Sequence, residues 1–367
     1  MDAKTTILMT ADTVGGVWSY AINLCAALSP YGIKVHLLTL GKLPDLQQRR
    51  QVAALQNVTL HESGFKLEWM ENPWKDVFLA REWIHSVYEA VQPDLIHFNN
   101  YVFPHAAWNC PVVTVFHSCV LSWWQSVRHE SAPSDWNCYR DLVQSAIAGS
   151  NAVIFPTQAM LQQAMSVYGR IKNSYVLYNG NEPDRRESVK QPFILTAGRL
   201  WDEAKNCRLL VEIADDLEWE IVMAGALAQS QSQMKLPRNV SCPGSLSPDK
   251  MKEAMASAAI FAMPAKYEPF GLAVLEAAAS GCALALGDIP TLREIWGDAA
   301  LYFDPFSEHE ALLTLKTLME DGKLREAMGV RAVQRSRRYT VGIMAGKYVS
   351  LYRSLLKQTV QLNNYQL

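Results

Sequence analysis

This chain of 367 residues is short of several things, and each shortage removes a class of function. It has no C-x-x-C pair, and its seven cysteines (Cys25, Cys110, Cys119, Cys138, Cys207, Cys242 and Cys282) are scattered and odd in number. A disulfide framework and a structural zinc site are therefore disfavoured, and reduced cytosol is the expected home. No window approaches the ~18 uninterrupted apolar residues of a membrane span, and MDAKTTILMTADTVGG lacks a basic-then-apolar leader, so no export route is expected. Charge is scarce too: 19% of residues are charged and the formal net charge is −2, which signals neither nucleic acid nor an anionic membrane as partner. The loop ADTVGGVW is not G-x-G-x-x-G, and no acidic residue is placed for a cofactor ribose, which disfavours a nicotinamide dehydrogenase.

What is present is apolar material for more than one core. At this length, with 49% apolar residues, the chain is expected to form two domains, or three, with a small molecule as partner. Short β-branched runs alternate with stretches of helical periodicity: strands are predicted at Thr6–Thr10, Val35–Leu40, Asn57–His61, Leu95–Phe98, Val112–His117, Ala152–Pro156 and Tyr175–Tyr178, with helices after Gly16 and over Glu82–Val91 and Asp141–Ala148. A polar, charged stretch from Asn179 to Gln191 reads as a linker. A second series follows, with strands at Phe193–Ala197, Glu220–Ala224, Val240–Cys242, Ile260–Pro264, Ala283–Leu286 and Ala300–Phe303 and helices between them. Such alternation predicts doubly wound parallel sheets, which bind ligands at the carboxyl ends of their strands.

The stretch Glu268-Pro-Phe-Gly-Leu-Ala-Val-Leu-Glu276 carries the chemistry. Proline and glycine precede an alanine-rich helix predicted to start at Phe270, so the N–H groups of Phe270, Gly271 and Leu272 should face open space with the helix dipole behind them. That is an anion site, and Glu268 and Glu276 flank it as hydroxyl acceptors. Taken alone, the glutamates are also explained as ordinary dipole complements. In GRLWDEAKN, Arg199 lies just past a strand end and Lys205 six residues on, a cationic pair suited to phosphate oxygens or, equally for an arbitrary pair, to solvent.

GRLWDEAKN, CPGSLSPDKM, YEPFGLAVLEAAASGCALALGDIPTLREI, GGVWSYAINLCAALSPYGIKV and TVFHS together resemble the retaining, nucleotide-sugar-dependent glycosyltransferases of family 4, most strongly from Phe193 to Pro305. The resemblance implies the GT-B fold: two Rossmann-like domains facing a cleft, at 1–185 for the acceptor and 186–345 for the donor, with a helix at 346–367 packing back towards the first. It implies that Arg199 and Lys205 hold a diphosphate supported by Phe270, Gly271 and Leu272, that Glu276 accepts from ribose hydroxyls, and that Glu268 holds the transferred sugar. Gly244, Ser245 and Leu246 match the segment that receives the base. Gly15 and Gly16 match the loop that approaches the donor's phosphate and sugar, and His117 matches the histidine facing the sugar, although Ser118 stands where the family often has Asp.

With no Asp-x-Asp in the chain, charge neutralisation falls to Arg199, Lys205 and the helix start, and no metal or cofactor is expected. The expected activity is transfer of a hexose, glucose from UDP-glucose as first choice, to a saccharide or lipid-linked saccharide in polysaccharide or glycoconjugate synthesis. A nucleotide-sugar epimerase, a hydrolase on the same frame and a non-catalytic sugar-binding protein are the alternatives. Trp69, Trp74, Trp123 and Trp124 fall in predicted loops and are candidates for an acceptor groove, with core packing as the plainer account. Arg331, Arg335, Arg337 and Arg338 read as a solvated helix face, leaving open a weak peripheral contact with the inner face of a membrane.

Overall fold

The computed structural model describes residues 5–102, 108–182, 188–226 and 236–364. The chain divides into two compact units, one formed by residues 1–124, 130–180 and 341–367, the other by 125–129 and 181–340. Of the predicted linker, residues 183–187 lie outside the described residues.

In chain order the elements are β1 (Thr6–Asp12), α1 (Gly16–Leu28), β2 (Lys34–Leu40), α2 (Leu46–Ala53), β3 (Val58–His61), α3 (Trp74–Val91), β4 (Leu95–Phe98), β5 (Val112–Val115), α4 (Val120–Arg128), α5 (Asn137–Gly149), β6 (Ala152–Phe155), α6 (Gln158–Tyr168) and β7 (Ser174–Val176). The second series is β8 (Gln191–Ala197), α7 (Arg208–Glu212), β9 (Glu220–Ala224), β10 (Val240–Gly244), α8 (Pro248–Ser257), β11 (Ala258–Met263), α9 (Leu272–Ala279), β12 (Ala283–Gly287), α10 (Pro290–Trp296), β13 (Leu301–Phe303), α11 (Glu308–Glu320) and α12 (Gly322–Ser336). Last comes α13 (Val341–Asn364), which belongs to the first unit.

The first unit holds a seven-stranded sheet in the order β3-β2-β1-β4-β5-β6-β7, and the second a six-stranded sheet in the order β10-β9-β8-β11-β12-β13. Neighbouring strands pair in parallel throughout both sheets. Helices cover a parallel sheet on both faces, so its central strands are apolar almost without a break: every residue of β4, β5, β6, β11 and β12 is buried.

Some elements rest on local chemistry that periodicity does not reveal. α2 is polar, with Val52 its buried residue, and a capping box secures its start: Gln48 N donates to Asp45 and the Gln48 side chain accepts from Asp45 N. α12 likewise starts on Asp321, whose carboxylate accepts from Leu324 N. Arg335 departs from the solvated face expected of the late arginines. Its guanidinium donates to the carbonyls of Ile295 (2.6 Å) and Glu294 (3.1 Å), complementing the carboxyl end of α10.

Candidate active site

In the second unit the strand order reverses between β8 and β11, the place where a doubly wound sheet opens a crevice at its carboxyl edge. The two segments singled out in the sequence leave these two strands side by side. Lys266 N donates to Ala204 O at 2.8 Å and fastens one loop to the other. Lys205 ends a 3-10 turn over Glu203–Lys205, started by Asp202, whose carboxylate accepts from Ala204 N at 3.0 Å.

Lys205 and Glu268 meet directly: Lys205 Nζ donates to Glu268 Oε2, with side chains only 16% and 11% exposed. The other carboxylate oxygen, Oε1, accepts from Gly271 N at 3.0 Å and from Phe270 N at 3.4 Å. Thr291 Oγ1 donates to the Glu268 carbonyl at 2.6 Å and pins the loop. This corrects two expectations. The helix begins at Leu272 rather than Phe270, with Gly271 as a left-handed N-cap (φ 88°), and the amides of Phe270 and Gly271 face Glu268 rather than open space. A residue with a Cβ is strained at that φ, which is the physical reason for glycine there.

Arg199 and Lys205 leave the same strand, but Arg199 is engaged locally. Its Nη2 donates to Asp202 Oδ2 at 2.8 Å, and its guanidinium lies 5.5 Å from the Trp201 ring centroid. Glu276 lies on α9, where burial raises its carboxyl pKa. Asn181 Nδ2 donates to Glu276 Oε1 at 2.9 Å. Asn181 escaped the sequence reading, because an asparagine at a domain junction is indistinguishable from a turn residue. Gly244 ends β10 at φ 75°, and Ser245 and Leu246 follow it, Ser245 exposed. Among the described residues no group of three or more His, Cys, Asp or Glu side chains is placed to hold a metal ion.

The first unit has its own reversal point between β1 and β4. Gly15 (φ 86°) and Gly16 form the exposed start of α1 after β1, where Val14 N donates to Asp12 Oδ1 at 2.6 Å. His117 stands two residues beyond β5, edge-on to Tyr20 with centroids 4.6 Å apart. Asn99 Oδ1 faces both His117 Nε2 (2.8 Å) and His97 Nε2 (3.1 Å), while Asn99 Nδ2 donates to Thr10 O at 2.8 Å. An amide oxygen only accepts, so both histidines carry their proton on Nε2. His117 Nδ1 is thereby left as an acceptor, and Tyr352 OH donates to His97 Nδ1 at 2.6 Å. Desolvation, with His97 nearby, pushes His117 down to about 3, and desolvation pushes His97 down to about 4.

These shifts predict a pH dependence of stability. The unfolded histidines take up protons near pH ~6.5, so their contribution is full above that pH and is lost as pH falls towards the folded values. Buried Glu68, raised to about 7 by desolvation, works against them: its contribution is full below the unfolded carboxyl value and is lost as pH rises to 7. Buried Glu276, raised in the same direction, acts with Glu68, and His36 and His61, lowered by desolvation, act with His97 and His117. Four groups against two make the melting temperature fall between pH ~6.5 and ~4.5, and Glu68→Gln makes the fall steeper. A melting curve series that is flat across this window in the variant contradicts the assignment.

The tryptophans part company. Trp69 lies in a turn, as predicted, but Trp74 opens α3 and Trp123 and Trp124 sit on α4 rather than in loops. Trp74 is 40% exposed, and Trp123 and Trp124 are half-buried against each other edge-on, 5.7 Å apart.

Two parallel-sheet units with polar and glycine-rich loops at the carboxyl ends define the GT-B class. Family models agree: residues 14–185 match the glycosyltransferase family 4 model and residues 181–335 the model of glycosyl transferases group 1. The chain belongs to this glycosyltransferase family. It is 25% identical over 282 residues to sulfoquinovosyl transferase SQD2 of Arabidopsis thaliana, covering 68% of this chain and 54% of that protein. It is 29% identical over 186 residues, 46% of this chain and 50% of the relative, to an N-acetylgalactosaminyltransferase of Campylobacter jejuni that acts on a diphospho-undecaprenol saccharide. The chain thus spans about half the length of these relatives. Among solved structures, sucrose-phosphate synthase of Thermosynechococcus elongatus superposes with a TM-score of 0.81 at 14% identity, over 96% of this chain and all of that one. HepE of Anabaena, in complex with UDP and glucose, gives 0.72 at 16% identity, over 96% and 100%.

Proposed function

We propose that this chain is a retaining, metal-independent glycosyltransferase that moves a hexose, glucose in our reading, from a UDP-linked donor to a hydroxyl of a saccharide or lipid-linked saccharide. The observation that carries the reading is the convergence, at the reversal point of the second sheet, of a half-buried lysine and a loop of amides on Glu268, at the start of the helix that carries Glu276. Lysine and amides suit a diphosphate, and the glutamates suit hydroxyl groups on either side of it. The Anabaena structure with UDP and glucose supports the choice of donor.

In this reading the departing diphosphate is stabilised by Lys205, Arg199 and the amides at Phe270, Gly271 and Leu272, in a site where charge is poorly screened. The acceptor hydroxyl attacks from the face the diphosphate leaves, and a donor phosphate oxygen takes its proton. Glu276 binds the ribose, Glu268 the sugar, and Gly244–Leu246 the base. Gly15, Gly16 and the unprotonated His117 Nδ1 keep the roles towards phosphate and sugar that the resemblance implies, and Trp69, Trp74, Trp123 and Trp124 stay candidates for the acceptor. The place of work is the cytoplasm, with peripheral contact to the membrane's inner face where the acceptor is lipid-linked. Among the described residues no helix is long and apolar enough to cross a membrane.

A mass-spectrometric screen of nucleotide sugars in the presence of a chelator tests this: slow hydrolysis or transfer from UDP-glucose is expected, and inertness towards every donor contradicts it. Asn181 provides a finer test. By donating to Glu276 it orients the ribose acceptor, so Asn181→Ala should weaken UDP binding by roughly fivefold, the worth of one ordinary hydrogen bond because the effect is exerted through Glu276, with kcat held. Unaltered UDP affinity in that variant would remove Asn181 from the site.

A further inference from the structure

The Glu268 carboxylate sits where the proposed reading puts a phosphate oxygen. Its partners are those a diphosphate would claim: Lys205 Nζ on Oε2, and the Gly271 and Phe270 amides on Oε1 at 3.0 and 3.4 Å. A carboxylate and a phosphate oxygen present the same chemistry to an ammonium group and a pair of N–H donors, so one set of donors cannot serve both at once. At 16% and 11% exposure the pair is poorly screened, and a second anion entering beside Glu268 would be strongly repelled.

We propose that Glu268 is an internal stand-in for the diphosphate, holding the anion seat closed until a donor displaces it. This rests on the reading of the site as a nucleotide-sugar site and adds a specificity device to it. When the diphosphate takes Lys205 and the two amides, the carboxylate is released, and a freed acceptor two residues before Phe270 is in reach of the sugar carried by that same diphosphate. Only a ligand bearing an anion liberates Glu268. A neutral glycoside brings no group to replace it, so the carboxylate stays paired and is withheld from hydrolytic attack on such substrates. No bond is made or broken in the exchange; the lysine and the amides change one anionic partner for another.

The device makes an unusual demand: removing a residue of the site must strengthen nucleotide binding. Glu268→Gln keeps the shape and discards the charge, and Glu268→Ala empties the seat. Both should bind UDP and inorganic pyrophosphate about tenfold more tightly than the wild type, by calorimetric titration, while transfer from UDP-glucose falls because the sugar loses its acceptor. Pyrophosphate isolates the seat from base and ribose. If the wild type binds UDP and both variants bind it equally or more weakly, the stand-in is refuted and the donor site survives. If neither wild type nor variants bind UDP, GDP or pyrophosphate, the donor-site reading itself fails. Circular dichroism spectra matching the wild type show that both variants are folded.

Discussion

Lys205→Ala should abolish the rise in melting temperature that UDP or GDP confers on the wild type, and should lower transfer by about 10²–10³-fold beyond the loss in binding. Two effects combine. The diphosphate loses a cation whose side chain is only 16% exposed and whose charge is therefore poorly screened. Glu268, itself only 11% exposed, keeps the Gly271 amide and loses its counter-ion, so an uncompensated negative charge remains where the phosphate must enter. Binding suffers from the first effect and from repulsion; the chemical step suffers further because charge on the leaving group grows towards the transition state. Lys205→Arg should restore little, since a planar fork is not a point charge on the same stem. Titration and steady-state kinetics on the variants measure both quantities, and a Lys205→Ala protein with wild-type UDP affinity would take the lysine out of the donor site.

Gly225→Ala should cost more stability than any other single methyl group near the site. Gly225 follows β9 with φ 153°, and a Cβ there would fall 1.8 Å from the Gly198 carbonyl oxygen, an overlap with backbone that no side-chain rotation relieves. Gly198 N donates to Ala224 O at 3.0 Å and Gly225 N to Gly244 O at 2.9 Å, so the added methyl forces apart the carboxyl ends of three adjacent strands. A cost above about 4 kcal/mol is expected, the range reserved for backbone overlap and buried defects. That corresponds to a fall of roughly 10 °C in melting temperature for a unit of this size. Gly198 leads into Arg199 and Lys205 while Gly244 leads into Ser245, so whatever protein folds should also bind UDP poorly. Differential scanning calorimetry with and without UDP checks both; a variant melting within 2 °C of the wild type would show that the strand ends yield easily, by the same scaling.

The winding of the chain was legible because parallel strands buried on both faces leave an unmistakable apolar mark. Leu95–Phe98 and Glu220–Ala224 were placed to the residue, and the limits of the other predicted strands fell within two. Helices with mixed faces were harder. α2 depends on the Asp45–Gln48 capping box, and α3 runs from Trp74 rather than Glu82 because its first turns expose Trp74, Phe78 and Leu79 and so blur the period. At the site, residue types and spacing announced Lys205, Glu268 and Glu276 as candidates. They could not announce that Lys205 and Glu268 pair, since that contact spans 63 residues and arises only when β8 and β11 become neighbours. Asp202 and Asn181 were missed for a related reason: each acts by holding a named residue, and nothing in its own neighbourhood marks it out.

Titration of the wild-type protein with UDP and GDP in excess chelator tests the donor site most directly. A site that neutralises the diphosphate with Lys205, Arg199 and the amides before α9 binds at least one of these nucleotides with micromolar affinity, unchanged by added magnesium or manganese, and loses that binding in Lys205→Ala. No heat of binding with either nucleotide, or binding that appears only when a divalent metal is supplied, would contradict it.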